Sequence, residues 1–294
     1  MEWELTFIKW LRTTSNEVSN ILAEMITILG EQYILIVILA FIYFVYNKKV
    51  GEQIAYCVFI GVCSNNALKG LVNRVRPFEA DVTIIPARME TATGYSFPSG
   101  HTQNASTFYG AIGLHFKNKK LWIAIITIII LIACSRVYLG VHYPTDVIGG
   151  ALLGIAGAFL GTWLYQKWGT NFKHKMILLV ATALVFLPFT IIYYRPNFSD
   201  IEVYRDFYTG YALFLGFIGA VFVENKWVDF TCQTSLKRRL IRFGLSLVVF
   251  AGLLMGLDKL FPEGYIFLDM LRYGLVSFVG MGLYPMLFKP LHLN

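Results

Sequence analysis

Long apolar runs separated by short polar breaks occupy almost the whole chain after residue 30. Nine of these runs, roughly 32–47, 52–72, 100–116, 121–138, 145–166, 176–194, 207–223, 240–258 and 268–288, approach the about 20 residues that a helix needs to cross a bilayer. Runs of that length predict helices and not membrane strands. The first thirty residues are too polar for a span, but Trp3, Leu5, Phe7, Ile8, Trp10 and Leu11 predict an amphipathic helix lying along the interface. The opening Met1-Glu2-Trp3-Glu4 is acidic with no apolar core behind it, which argues against a signal peptide. The fold class that follows is all-α, a polytopic transmembrane helix bundle of about nine spans with an interfacial N-terminal helix.

Composition agrees, since 56% hydrophobic and 15% charged residues lie outside the range of a soluble domain. The formal charge of +7 is distributed unevenly. Lys48 and Lys49 follow the first run, Lys117, Lys119 and Lys120 the third, Lys167, Lys173 and Lys175 the fifth, and Lys226, Lys237, Arg238 and Arg239 the seventh. With Arg242 and Lys289 these make fourteen of the 25 basic residues, and the positive-inside rule makes their loops cytoplasmic. The N-terminus is then outside and the C-terminus inside. Cytoplasmic anchors and an anion pocket account for the charge, so no nucleic-acid partner is implied. Cys57, Cys63 and Cys134 sit in apolar runs and Cys232 in a cytoplasmic loop, without disulfide or metal-ligand spacing.

Three polar islands fall at the face opposite these lysines: Lys69 with Arg76-Pro77, then Pro98-Ser99-Gly100-His101, then Ser135-Arg136 with His142 and Asp146. Together they suit a phosphate ester. Lys69, Arg76 and Arg136 supply cations for phosphoryl oxygens. Ser99 and Gly100 open a helix whose free N–H groups and dipole favour an anion, with Gly100 allowing close approach. His142 precedes Pro144, so Asp146 lies one turn beyond it and can fix the imidazole tautomer, leaving the other nitrogen as nucleophile. His101 is then the general acid and, in the second step, the base that activates water. Lys69 and Arg76, seven apart, share a face if the helix persists for two turns. Each element has a plainer reading when taken singly: an ordinary helix start for His142 and Asp146, a Ser99 N-cap beside an interfacial histidine, or snorkelling cations. Arg74 reads as a headgroup contact, and His115, His174 and His292 as non-catalytic. No carboxylate cluster suited to a metal appears in the islands.

In this order and spacing, Lys-x6-Arg-Pro, Pro-Ser-Gly-His and Ser-Arg-x5-His-x3-Asp, the islands resemble the type 2 phosphatidic acid phosphatase superfamily over about residues 30–195. That family includes lipid phosphate phosphatases, undecaprenyl diphosphate phosphatases, glucose-6-phosphatases and vanadium haloperoxidases. The resemblance implies a phosphomonoester or diphosphate hydrolase acting through a phosphohistidine, with no metal or cofactor and with vanadate as an inhibitor. The site at the bilayer edge favours a lipid phosphate in the plasma membrane of a bacterium. Undecaprenyl diphosphate leads, ahead of phosphatidic acid and phosphatidylglycerol phosphate. An outside N-terminus with nine spans is similar to the glucose-6-phosphatase branch and keeps a sugar phosphate open. A lipid phosphotransferase would use the same intermediate, and a lipid transporter or binder would keep only the pocket.

All motif residues precede position 195, which divides the chain into a 1–195 phosphatase core and a 196–294 set of additional helices. The latter read as a packing scaffold, a homodimer surface or a lipid conduit. Within them Asp258-Lys259 and Asp269 with Arg272 read as an internal ion pair or a headgroup contact. Residues 78–97 read either as a gate for an amphipathic substrate or as an interfacial loop.

Overall fold

The computed structural model describes residues 2–262 and 264–293. Its helices are α1 (Glu2–Thr13), α2 (Glu17–Ile28), α3 (Gln32–Phe41), α4 (Lys48–Val72), α5 (Pro77–Ala80), α6 (Gly100–Phe116), α7 (Lys119–Tyr138), α8 (Pro144–Trp168), α9 (Phe172–Ile192), α10 (Phe198–Ile201), α11 (Arg205–Val223), α12 (Leu236–Leu260) and α13 (Ile266–Phe278). No strand occurs among the described residues. The boundaries have local causes: Asn16, Asn118, Asn171 and Ser235 each cap a helix N-terminus through their side chains, satisfying backbone donors left free in the first turn. After α4, Asn73 adopts φ 52°, a left-handed conformation that asparagine tolerates.

Eight helical stretches among the described residues are long and apolar enough to cross a membrane, so the protein is an all-α polytopic membrane protein. Two departures from the nine expected spans stand out. The 100–116 run forms α6, but its 17 residues extend only about 25 Å at 1.5 Å per residue. The N-terminal thirty residues form two helices, and the second belongs to the apolar stretch Glu17–Tyr46.

The chain resolves into two compact units, Met1–Leu35 with Ile60–Leu160, and Ile36–Phe59 with Gly161–Asn294. In the first, α7 packs against α1, α2 and α6, and Ile8, Ile84, Val137, Tyr143 and Val147 form a buried cluster. The start of α6 lies hard against α8. A Cβ at Gly150 would come within 2.7 Å of the Ser99 carbonyl, and one at Gly154 within 2.5 Å of that of Gln103. This spacing of small residues permits close helix contact and fixes the position of the Pro98-Ser99-Gly100-His101 turn. On the other side Asn65 donates to Gln103 Oε1 at 2.9 Å, and Gln103 Nε2 donates to the Gly61 carbonyl at 3.1 Å.

The second unit is organised around buried charge. Lys48 donates to both Glu224 oxygens at 3.0 Å and to Asp229 at 2.8 Å. Glu52 accepts from Lys175 at 2.6 Å, Tyr165 at 2.7 Å and Asn225 at 3.2 Å. Such pairs are tolerable in an apolar interior only because every partner is satisfied. The ion pairing expected among Asp258, Asp269 and Arg272 is present but differently connected: Arg272 binds Asp258 and Asp269, and Arg205 binds Asp269 through two bonds of 2.7 and 2.9 Å.

Candidate functional site

All three islands converge at one end of the first unit, where α4 and α7 finish and α6 and α8 begin. His142 and Asp146 are buried, at 2% and 0% exposure, and Nδ1 of the imidazole lies 3.4 Å from Asp146 Oδ2. That carboxylate oxygen also accepts from Ser96 Oγ at 2.5 Å and from the Tyr143 N–H at 2.9 Å. Its orientation toward the ring is therefore set from several directions. The opposite ring nitrogen, Nε2, lies 3.4 Å from Arg76 NH1. Burial first, and then the positive field of Arg76, Arg136 and Lys69, holds the His142 imidazole well below the ordinary histidine pKa. A neutral ring keeps the lone pair that an attack on phosphorus requires.

The cations are held by backbone carbonyls. Arg76 donates to Thr93 O at 2.7 Å, Gly94 O at 2.9 Å and Val141 O at 2.8 Å. Lys69 donates to Tyr95 O at 2.5 Å and Thr93 O at 3.3 Å. The expected helical continuity between Lys69 and Arg76 fails, since α4 ends at Val72. They meet because both bind the Thr93 carbonyl. The loop before α6 thus serves as the cradle of the cations. Arg136 is fully buried and donates 3.3 Å bonds to Thr27 and Thr91 hydroxyls, while its Nε and NH2 have no partner.

Ser99 does not cap α6 through its side chain. Its hydroxyl pairs with Thr102 at 3.1 Å, and its N–H donates to the Asp146 carbonyl at 3.0 Å, tying the second motif to the third. A Cβ at Gly100 would meet only Asn65 Oδ1, at 3.4 Å, an ordinary contact, whereas one at Gly150 would run into the Ser99 carbonyl. His101 Nε2 is buried without a hydrogen bond and lies 4.0 Å from Glu31 Oε1. Glu31 is bound at 2.5 Å by Arg88, which also faces Glu24 at 3.7 Å.

Several residues at this site escape the sequence motifs. Arg74, expected to contact headgroups, instead donates to Asp146 Oδ1 at 2.6 Å and to Glu4 at 2.7 Å. Glu4 is 3% exposed, so α1 is not simply an interfacial helix. Its Trp3, Phe7 and Trp10 are exposed while Ile8 is buried. One signal was available: Glu4, Ile8 and Leu11 share a helical face, which puts a carboxylate in the apolar stripe. Nothing comparable marks Glu31 or Arg88. Among the described residues, no three of His, Cys, Asp and Glu gather as a metal-ligand set. Chemically, the arrangement offers an imidazole, a second histidine and buried cations, among them Arg136 with two nitrogens lacking a partner, a combination suited to a phosphoryl group.

Residues 52–170 match the PAP2 superfamily, and residues 208–294 match the family described as PAP2 superfamily phosphatase, transmembrane extension. Undecaprenyl-diphosphatase of Sulfolobus acidocaldarius is 35% identical over 135 residues, 45% of this chain and 63% of that protein. Phosphatidylglycerophosphatase B of Bacillus subtilis is 37% identical over 136 residues, 43% of this chain and 64% of that protein. The chain thus spans somewhat less than two thirds of the length of each of these relatives. A solved transmembrane PAP2-type phosphatidylglycerolphosphate phosphatase from Bacillus subtilis is 28% identical, with a TM-score of 0.48, 56% of this chain and 86% of that one being covered. The chain belongs to the PAP2 superfamily, with the superfamily domain at residues 52–170 and the family's transmembrane extension at 208–294.

Proposed function

We propose that this protein is an integral membrane lipid phosphatase that passes a phosphoryl group from its substrate to Nε2 of His142 and then to water. Lys69, Arg76, Arg136 and the N-terminus of α6, with Ser99 and Gly100, hold the phosphoryl oxygens as charge develops on them. Asp146 keeps the proton on Nδ1 and supports the cationic phosphohistidine. His101 protonates the leaving oxygen, then takes a proton from the water that attacks the phosphohistidine. The observation that carries this reading is the set of buried nitrogens without partners, Arg136 Nε and NH2 and His101 Nε2, in the same cluster as the His142–Asp146 pair. Buried donors are rarely left unpaired unless function requires it.

The preferred substrate is a polyprenyl diphosphate such as undecaprenyl diphosphate. Arg88, whose Nε is buried without a partner while its NH2 binds Glu31, is the cation assigned to a second phosphate. The test is phosphate release in detergent from polyprenyl diphosphate, phosphatidic acid, phosphatidylglycerol phosphate and glucose-6-phosphate, each with EDTA. The diphosphate is expected to turn over fastest, with EDTA harmless and vanadate inhibitory. Strict dependence on magnesium, or phosphate transfer only to an added lipid acceptor, would count against the mechanism.

The lysine and arginine bias supports an extracytoplasmic site with the C-terminus in the cytoplasm. Val82, 85% exposed, lies in the loop after the first motif, and the exposed Lys119 lies at the opposite end of α6. In a background cleared of Cys57, Cys63, Cys134 and Cys232 and checked for activity, Val82→Cys is expected to react with an impermeant thiol reagent on intact cells. Lys119→Cys should react only after the membrane is opened. Reversed labelling would place the site in the cytoplasm and leave the phosphatase chemistry standing.

A further inference from the structure

The hydrogen-bonded chain through the dyad does not stop at Asp146. Its Oδ1 is occupied by Arg74 NH1 at 2.6 Å. An arginine bound to that carboxylate, with nothing behind it, would oppose the positive charge that a phosphohistidine places on the neighbouring imidazole. Glu4 stands behind it. Glu4 Oε2 accepts from Arg74 NH2 at 2.7 Å, and Oε1 accepts from the Thr145 N–H at 3.1 Å and hydroxyl at 2.7 Å. Arg74 NH1 also donates to that hydroxyl at 2.6 Å, and the guanidinium lies 3.8 Å over the Tyr143 ring. The arginine plane is fixed, and charges alternate from Glu4 through Arg74 and Asp146 to the ring.

Anchoring α1 does not require this carboxylate. The helix is already held by Ile8 in its apolar cluster, by Lys9 to Asp81 at 3.1 Å, and by Arg12 to the carbonyls of Ile85 and Tyr138 at 2.9 and 3.2 Å. A buried ion pair is in any case weak evidence of a stabilising purpose. We propose that Glu4 is a positioning residue for the His142–Asp146 dyad, acting through Arg74. The N-terminal helix, which precedes the residues matching the superfamily, is thereby part of the reacting assembly.

The inference rests on the phosphohistidine reading, and the two fail separately. The test uses the full-length protein and whichever of polyprenyl diphosphate and phosphatidic acid is turned over faster. Glu4→Gln keeps the shape of the side chain and removes its charge. It is expected to lower kcat about tenfold with KM and the amplitude of the phosphoenzyme burst unchanged, because folded sites remain in number but react more slowly. Arg74→Gln should lower kcat further, and the double variant should be no slower than Arg74→Gln alone, since the glutamate acts only through the arginine. Wild-type kcat in Glu4→Gln, a loss of burst amplitude that accounts for the whole loss of rate, or additive effects in the double variant would each overturn the proposal. Retained turnover in His142→Ala would instead overturn the reaction on which it rests.

Discussion

His142→Ala is expected to eliminate both steady-state phosphate release and the covalent phosphoenzyme, lowering turnover by more than about 10⁴-fold. The imidazole is enclosed by Asp146 and Arg76, each 3.4 Å from one of its nitrogens, so water admitted by the truncation would have neither the alignment nor the basicity of Nε2. His101→Ala should differ in kind. With a lipid phosphate, whose leaving oxygen needs a proton, the loss should be about 10²- to 10⁴-fold. With an activated aryl phosphate, phosphoenzyme formation should largely recover, while its hydrolysis stays slow because the same histidine activates water. Quench-flow measurement of phosphoenzyme and free phosphate for both variants separates the steps. Wild-type turnover in His142→Ala would refute the nucleophile assignment.

Arg136→Met is expected to move stability and activity in opposite directions. Arg136 is fully buried, its bonds to protein are two of 3.3 Å to threonine hydroxyls, and two of its nitrogens have no partner. Each unpaired buried donor costs about 1–3 kcal/mol, and an apolar side chain of similar length can replace a poorly compensated buried cation without loss. The methionine variant should therefore unfold at a higher temperature than the wild type while losing about 10²- to 10³-fold in kcat/KM. Orthovanadate should raise the unfolding temperature of the wild type and have much less effect on the variant. A variant that is both less stable and fully active would mean that Arg136 is a packing residue. This trade of stability for activity is the signature of a strained binding group.

The spans were legible because an apolar run has little choice but to become a helix in a bilayer, and the motif turns because proline, glycine and asparagine constrain backbone locally. What escaped was three-dimensional address. The seven-residue spacing of Lys69 and Arg76 suggested a shared helical face, whereas the left-handed Asn73 turns the chain out of α4 and the Thr93 carbonyl reunites the two side chains. The tight packing of Gly150 on the Ser99 carbonyl joins residues far apart in sequence, and no motif marks it. Arg74 was misread because a cation at a helix end has the same local sequence whether it meets a phosphate headgroup or a buried carboxylate. Only the docking of α1 decides between them, and no periodicity in one helix states which surface another will cover.

The buried charges of the second unit bear on how such a chain can be made. Lys48 finds Glu224 and Asp229 only 176 and 181 residues later, and Glu52 waits for Lys175 and Asn225, 123 and 173 residues on. During synthesis Lys48 and Glu52, one turn apart on α4, have only each other as charge partners until α9 and α11 arrive. The full set of partners for these two charges is complete only once the chain has been made through Asp229.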